Sequence, residues 1–153
     1  MAHLLSDPEA LRRPGEKQFE LSGWIDTAPF EDLVGLAIQT AADGRAVLSM
    51  PFTVKLAQGG GVVHGGALTT LADTAVAIAI KTLLPPGTIF ATIELSIRFL
   101  APAREGQLTA TAQVNGPQGR TFHGEAVVVD DEGREVALFT SVFRVARGQG
   151  FGE

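Results

Sequence analysis

Between Ala67 and Leu84 the chain runs ALTTLADTAVAIAIKTLL, with Asp73 and Lys81 as its only charges. Its Ala, Leu, Ile and Val residues point in every direction around a helical wheel, and a helix that is apolar all round is buried all round. A membrane span is the competing reading. The run is at minimum length for one, is rich in Ala and Thr rather than Leu, and carries an acid that is costly in lipid. A buried helix in a water-soluble fold therefore suits the segment better. The fold class that follows is α+β, a long central helix wrapped by a curled antiparallel sheet of about six strands, with a partner covering what one sheet cannot reach.

The strands are read from the flanking segments. LAIQTA and RAVLSMPFT flank Asp43-Gly44, a hairpin signal between two strand-like runs. TIFATIELSIRFL alternates with period two, which puts Ile93, Leu95, Ile97 and Phe99 on one face and Thr92, Glu94, Ser96 and Arg98 on the other. QLTATAQVN, RTFHGEAVVV and EVALFTSVFRV then form a meander with turns at residues 116–119 and 130–133. Ahead of the hairpin, APFEDLVGL predicts a short helix capped by Asp26 or Thr27 and stopped by Gly35. Residues 1–22 are polar and contain Pro8 and Pro14, so they read as an appended segment with one short helix over Pro8 to Arg13. The expected organisation is that extension, a single domain over 23–147 and a flexible tail at 148–153.

Composition narrows the chemistry. A formal charge of −5 lacks the clustered Lys and Arg that a phosphate backbone attracts, so no nucleic-acid partner is expected. The absence of Cys removes thiol nucleophiles and Cys-type metal sites, and three scattered His residues supply no ligand spacing for a metal. The first residues show no basic region followed by an apolar one, so a cytoplasmic protein without a membrane partner is expected.

The stretch before the helix, GGGVVHGGALTTLAD, carries the candidate site. Gly65 and Gly66 at a helix start leave first-turn N–H groups unpaired, and the helix dipole adds partial positive charge there. Such a terminus suits an oxyanion. Gly66, Thr70, Asp73 and Ala77 fall on one small, polar strip at helical spacing, which is expected to face a crevice or a second subunit. The plainer reading of Asp73 is a bond to the Thr69 or Thr70 hydroxyl and nothing more. Gly65 and Asp73 lie about 12 Å apart along a straight helix. They cannot flank one carbonyl within a single chain, so a shared site requires a homodimer with antiparallel helices.

Gly61-Val62-Val63-His64-Gly65-Gly66-Ala67 with Leu71-Ala72-Asp73-Thr74-Ala75, then Ala91-Thr92-Ile93-Glu94-Leu95 and Phe99-Leu100-Ala101-Pro102-Ala103, resembles the hotdog-fold acyl-CoA thioesterases of the PaaI-like, phenylacetate-degradation group. The resemblance runs from about Pro29 to Arg144 and implies a dimer or tetramer that hydrolyses an acyl-CoA thioester. It implies that the Gly65 N–H binds the thioester oxygen, and that Asp73 of the other subunit attacks the carbonyl or activates water. Gln58 stands where the family pattern has an Asn that assists the carbonyl or the water, and Thr92 matches a residue that orients the water. His64 either holds the loop by bonding backbone, the favoured role, or takes part in acid–base work. Gly66, Thr70, Arg98 and Arg120 are candidate substrate contacts, the arginines for the phosphates of coenzyme A. A thioester is electrophilic enough to need no cofactor. The alternatives are a hotdog dehydratase or hydratase, a non-catalytic acyl-CoA-binding module and a purely structural dimer.

Overall fold

The computed structural model describes residues 1–152. The long helix forms where the apolar run predicts it, from Gly65–Lys81 (α2), and ten of its seventeen residues are buried. In chain order the other elements are β1 (His3–Leu4), β2 (Phe19–Glu20), α1 (Pro29–Val34), β3 (Ala37–Ala42), β4 (Arg45–Pro51), a 3-10 turn (Val54–Leu56), β5 (Phe90–Phe99), β6 (Gln107–Gln118), β7 (Thr121–Val129) and β8 (Glu135–Val145). No helix among the described residues is long and apolar enough to cross a membrane.

Six strands form one antiparallel sheet in the order β3-β4-β6-β7-β8-β5. One expectation is corrected here. The sheet is neither curled around α2 nor closed, because its order is open and leaves β3 and β5 as unpaired edges. Closure needs those two edges to pair. One face of the sheet buries Leu68, Leu71, Val76, Ile78 and Ile80 of α2 against Leu48, Leu108, Phe122 and Phe139. The remaining flank of the helix is the strip of Gly66, Thr70, Asp73 and Ala77, none of which is fully buried. An all-round apolar wheel is thus satisfied by an open sheet on one side, since the residues off the sheet are mostly small.

The hairpin between β3 and β4 turns on Asp43 (φ 53°) and Gly44 (φ 78°), the paired left-handed residues of a tight hairpin. Its Gly44 N–H donates to the Thr82 hydroxyl at 2.7 Å, tying the turn to the end of α2. At the middle of the sheet Gly124 of β7 packs directly under Val76 of α2, where an added Cβ would overlap Val76 Cγ1.

Several local expectations change. Pro8 to Arg13 forms a turn and irregular chain rather than a helix. The Asp7 carboxylate accepts the Glu9 N–H and closes a single turn, while Pro14 keeps Arg13 out of helical conformation. The segment returns as β2, which pairs with β1. Helix α1 is stopped by Gly35 (φ 81°) as predicted, but its cap is Ala28 without a side-chain bond. Asp26 is buried and instead accepts from the Ser22 and Thr27 N–H groups. Residues 116–118, read as turn, continue β6 through a register shift. Trp24 and Lys81 clamp the chain before α1 onto the end of α2. The indole donates to the Lys81 carbonyl at 2.9 Å, and the ammonium lies 4.7 Å from the ring centroid.

Candidate active site at the start of the long helix

The loop before α2 is held by its backbone. The Val63 N–H donates to the Ala103 carbonyl at 2.9 Å, and the His64 N–H to that of Leu56 at 2.8 Å. His64 then caps the helix, its Nδ1 accepting the Gly66 N–H at 2.8 Å. An accepting Nδ1 places the ring proton of the neutral imidazole on Nε2. With Gly66 satisfied by that cap, the Gly65 N–H has no acceptor among the described residues. It opens beside a cavity of about 360 Å³ lined by Gln58, Val62, Val63, Leu68 and Phe99, among others. The tip of the Phe99 ring lies over Gly65, 3.0 Å from where a Cβ would stand. Apolar neighbours such as Val62, Val63, Leu68 and Phe99 strengthen a donor aimed at developing negative charge.

Asp73 lies two turns further along α2, half-buried on the open strip. The Thr92 hydroxyl donates to it, 2.9 Å from Oδ1 and 3.2 Å from Oδ2. Burial pushes its carboxyl above the ordinary value, the Thr92 bond opposes that rise, and the charge of Glu31 on α1 adds to it. The plainer reading of Asp73 does not hold. The Thr69 and Thr70 hydroxyls donate back to the carbonyls of Gly65 and Gly66, at 2.8 and 2.9 Å.

Thr92 reaches Asp73 because strict alternation fails on β5. The register against β8 shifts between Thr92 and Glu94, leaving Ile93 as an extra residue. Such a bulge reverses the facing of everything beyond it. Thr92 and Phe99, separated by an odd step and assigned to opposite faces by period two, both meet α2.

The family model of the thioesterase superfamily matches residues 60–137. A protein of Halobacterium salinarum is 35% identical over 138 residues, which span 83% of this chain and 91% of the relative. The acyl-coenzyme A thioesterase PaaI of Escherichia coli is 36% identical over 107 residues, 69% of this chain and 74% of the relative. This chain belongs to the thioesterase superfamily. The structure of the E. coli PaaI protein from the phenylacetic acid degradation operon superposes with a TM-score of 0.72 at 31% identity, covering 80% of this chain and 88% of that one. The chain is thus a hotdog-fold thioesterase of the PaaI-like group, and an enzyme that hydrolyses thioesters.

Within this thioesterase, Gly65 and Gln58 line one cavity, His64 caps the helix next to them through Gly66, and Asp73 and Thr92 form a second group along the helix. Gly66 gives its N–H to the His64 cap and Thr70 bonds backward along the helix. Neither arginine lines the cavity. Arg98 is exposed on the sheet face turned from α2, opposite Leu138, and Arg120 donates to the Val145 carbonyl at 2.9 Å. Phe99 is the site residue that sequence reasoning left among the core-facing positions. Its signal was the Gly65 position itself, since a glycine on a helix needs a reason to lack a side chain.

Proposed function

We propose that this thioesterase hydrolyses an acyl- or aryl-CoA thioester to the free acid and coenzyme A, at a site shared by two antiparallel copies. The observation that carries the reading is the unpaired Gly65 N–H at the start of a seventeen-residue helix, open to an apolar cavity. The name of the E. coli relative supports the substrate class. The carbonyl oxygen takes the Gly65 N–H, where the helix terminus offsets the charge that develops on it. The partner subunit's Asp73 removes a proton from water as the water oxygen adds to the carbonyl carbon. The C–S bond then breaks, and the departing thiolate takes the proton from the carboxyl. In the other route open to Asp73, its carboxylate adds directly and water opens the resulting anhydride. One turnover in heavy-oxygen water labels the enzyme only by that second route.

Two features support the second copy. Gly65 and Asp73 of one chain are separated by about 12 Å of helix. The small strip bearing Asp73 lies open beside the unpaired edge β5, whose Ile93 and Leu95 are exposed.

Gly65→Pro against Gly65→Ala tests the donor. Gly65 is the first helical residue, where proline is tolerated, and the extended His64 before it (ψ 132°) accommodates a proline. Both substitutions add the same Cβ against Phe99, and proline in addition replaces the N–H with its ring Cδ, so a loss particular to proline reports on that donor position. Turnover of Gly65→Pro is expected about a hundredfold below that of Gly65→Ala. Equal turnover contradicts the role of this donor.

A further inference from the structure

The loop Gln58-Gly59-Gly60-Gly61 holds three glycines in a row, and only Gly61 (φ 90°) has a left-handed backbone that calls for one. Gly59 has open space where a Cβ would stand. Gly60 differs from both. Its backbone accommodates any residue, yet a Cβ there would lie 2.9 Å from Gln58 Oε1, 3.5 Å from Nε2 and 3.6 Å from Cδ, with nothing else so near. The one consequence of a side chain at 60 is displacement of the Gln58 carboxamide. That carboxamide is folded back so that Oε1 accepts the Gly60 N–H. A backbone N–H only donates, so the bond fixes which end of the amide is which. Nε2 then carries the two free donors, with no acceptor among the described residues, on a side chain that lines the cavity beside Gly65.

We propose that Gly60 is a positioning residue, its bare Cα and its N–H together holding the Gln58 carboxamide with Oε1 inward and the Nε2 donors toward the thioester oxygen. The inference rests on the hydrolase reading above and deepens it. Of the two roles that the family resemblance implies for this position, carbonyl or water, this orientation selects the carbonyl, and the new element is the part Gly60 plays in setting it. The extra methylene of Gln lets the side chain span to the N–H two residues on while still bordering the cavity.

The test is a double-mutant cycle with a readout that needs no turnover. Kinetics are measured on the CoA thioester that wild type hydrolyses fastest, for Gly60→Ala, Gln58→Ala, the double variant and Gly59→Ala as control. Gly60→Ala is expected to lower kcat about tenfold or more with KM little changed, since misplacing an oriented group acts on the transition state. In the Gln58→Ala background the same change is expected to cost nothing further. Gly59→Ala matches wild type, and melting temperatures stay together because only the far end of a surface side chain moves. Gln58→Glu keeps an acceptor for Gly60 but has no donors, and is expected to be as slow as Gln58→Ala. Separately, the Gly60 amide is expected to exchange with solvent more slowly than that of Gly59 in wild type, and to lose that protection in Gln58→Ala.

Equal losses from Gly60→Ala in both backgrounds, full turnover in Gln58→Ala, or Gly60 exchange indifferent to Gln58 would each overturn the proposal. If wild type releases no thiol from any CoA thioester, the hydrolase reading of the substrate fails instead, and amide exchange alone decides the loop geometry.

Discussion

Asp73→Ala is expected to slow thiol release by about a thousandfold while the chain stays folded, since in the proposed mechanism it removes the group that activates water or attacks the carbonyl. The folded environment of Asp73 makes the effect readable in pH as well. Burial holds its carboxyl above the ordinary value, the Thr92 hydroxyl offsets part of that, and Glu31 on α1 adds to it. The carboxylate is the working form in both proposed routes. The rate is therefore expected to fall, as pH is lowered, at a higher pH than an unperturbed Asp would give.

The same shift fixes a sign for stability. The folded chain holds the Asp73 proton to higher pH than the unfolded chain does, so this group's contribution is lost as pH rises from the ordinary carboxylate value through the raised one. At neutral pH the ionised, half-buried acid is a net cost. Asp73→Asn, which keeps an acceptor for Thr92, is expected to unfold at a higher urea concentration than wild type at pH 7, with the gap closing in acid. A variant equal to wild type at pH 7 would mean that Asp73 meets no burial penalty. Lost activity with gained stability is the usual mark of a functional group held in an unfavourable place.

Gly124→Ala is expected to give a large loss of stability for a single added methyl group. Gly124 lies at the centre of the sheet, fully covered by α2. An added Cβ overlaps Val76 Cγ1 and stands 3.2 Å from Cγ2 and 3.3 Å from Ser141 Oγ. These are rigid neighbours, a β-branched side chain on a helix and a residue within a paired strand, so the helix must lift or the strand must bend. Overpacking of this kind costs about 3 kcal/mol, read as a lower urea midpoint at unchanged slope. Val76→Ala removes both obstructing methyl groups, and in the Gly124→Ala background it is expected to recover part of the loss. A cost under about 0.5 kcal/mol, typical of an open surface position, would contradict this packing.

The parts of the fold carried by local chemistry were legible in the sequence. The apolar run gave α2 and Asp43-Gly44 gave the hairpin, and the His-Gly-Gly start with an acid on a small strip is what singles out the two parts of the proposed site. What failed depended on partners far along the chain. The wheel of α2 shows which residues avoid water, but not whether a curled sheet or an open one covers them. Period two placed Thr92 on the wrong face because an extra residue at Ile93 is set by the pairing of β5 with β8. Gly124 reads as a weak point within a strand until Val76 is seen above it. Gln58 was legible as an amide near the loop, whereas its turn onto Gly60 depends on a neighbouring residue whose only relevant property is lacking a side chain.

The sharing of one site between two chains is tested most directly by a purified hybrid dimer, one subunit carrying Asp73→Ala and the other Gly65→Pro, each with its own affinity tag. Each parent alone has a lesion in both sites. In a hybrid built on an antiparallel pair, one site collects both lesions and the other is intact. Thiol release from an acyl-CoA at about half the wild-type rate per dimer is the expected result. A hybrid no faster than its parents would mean that both groups serve the carbonyl from within one chain, and would contradict the shared site.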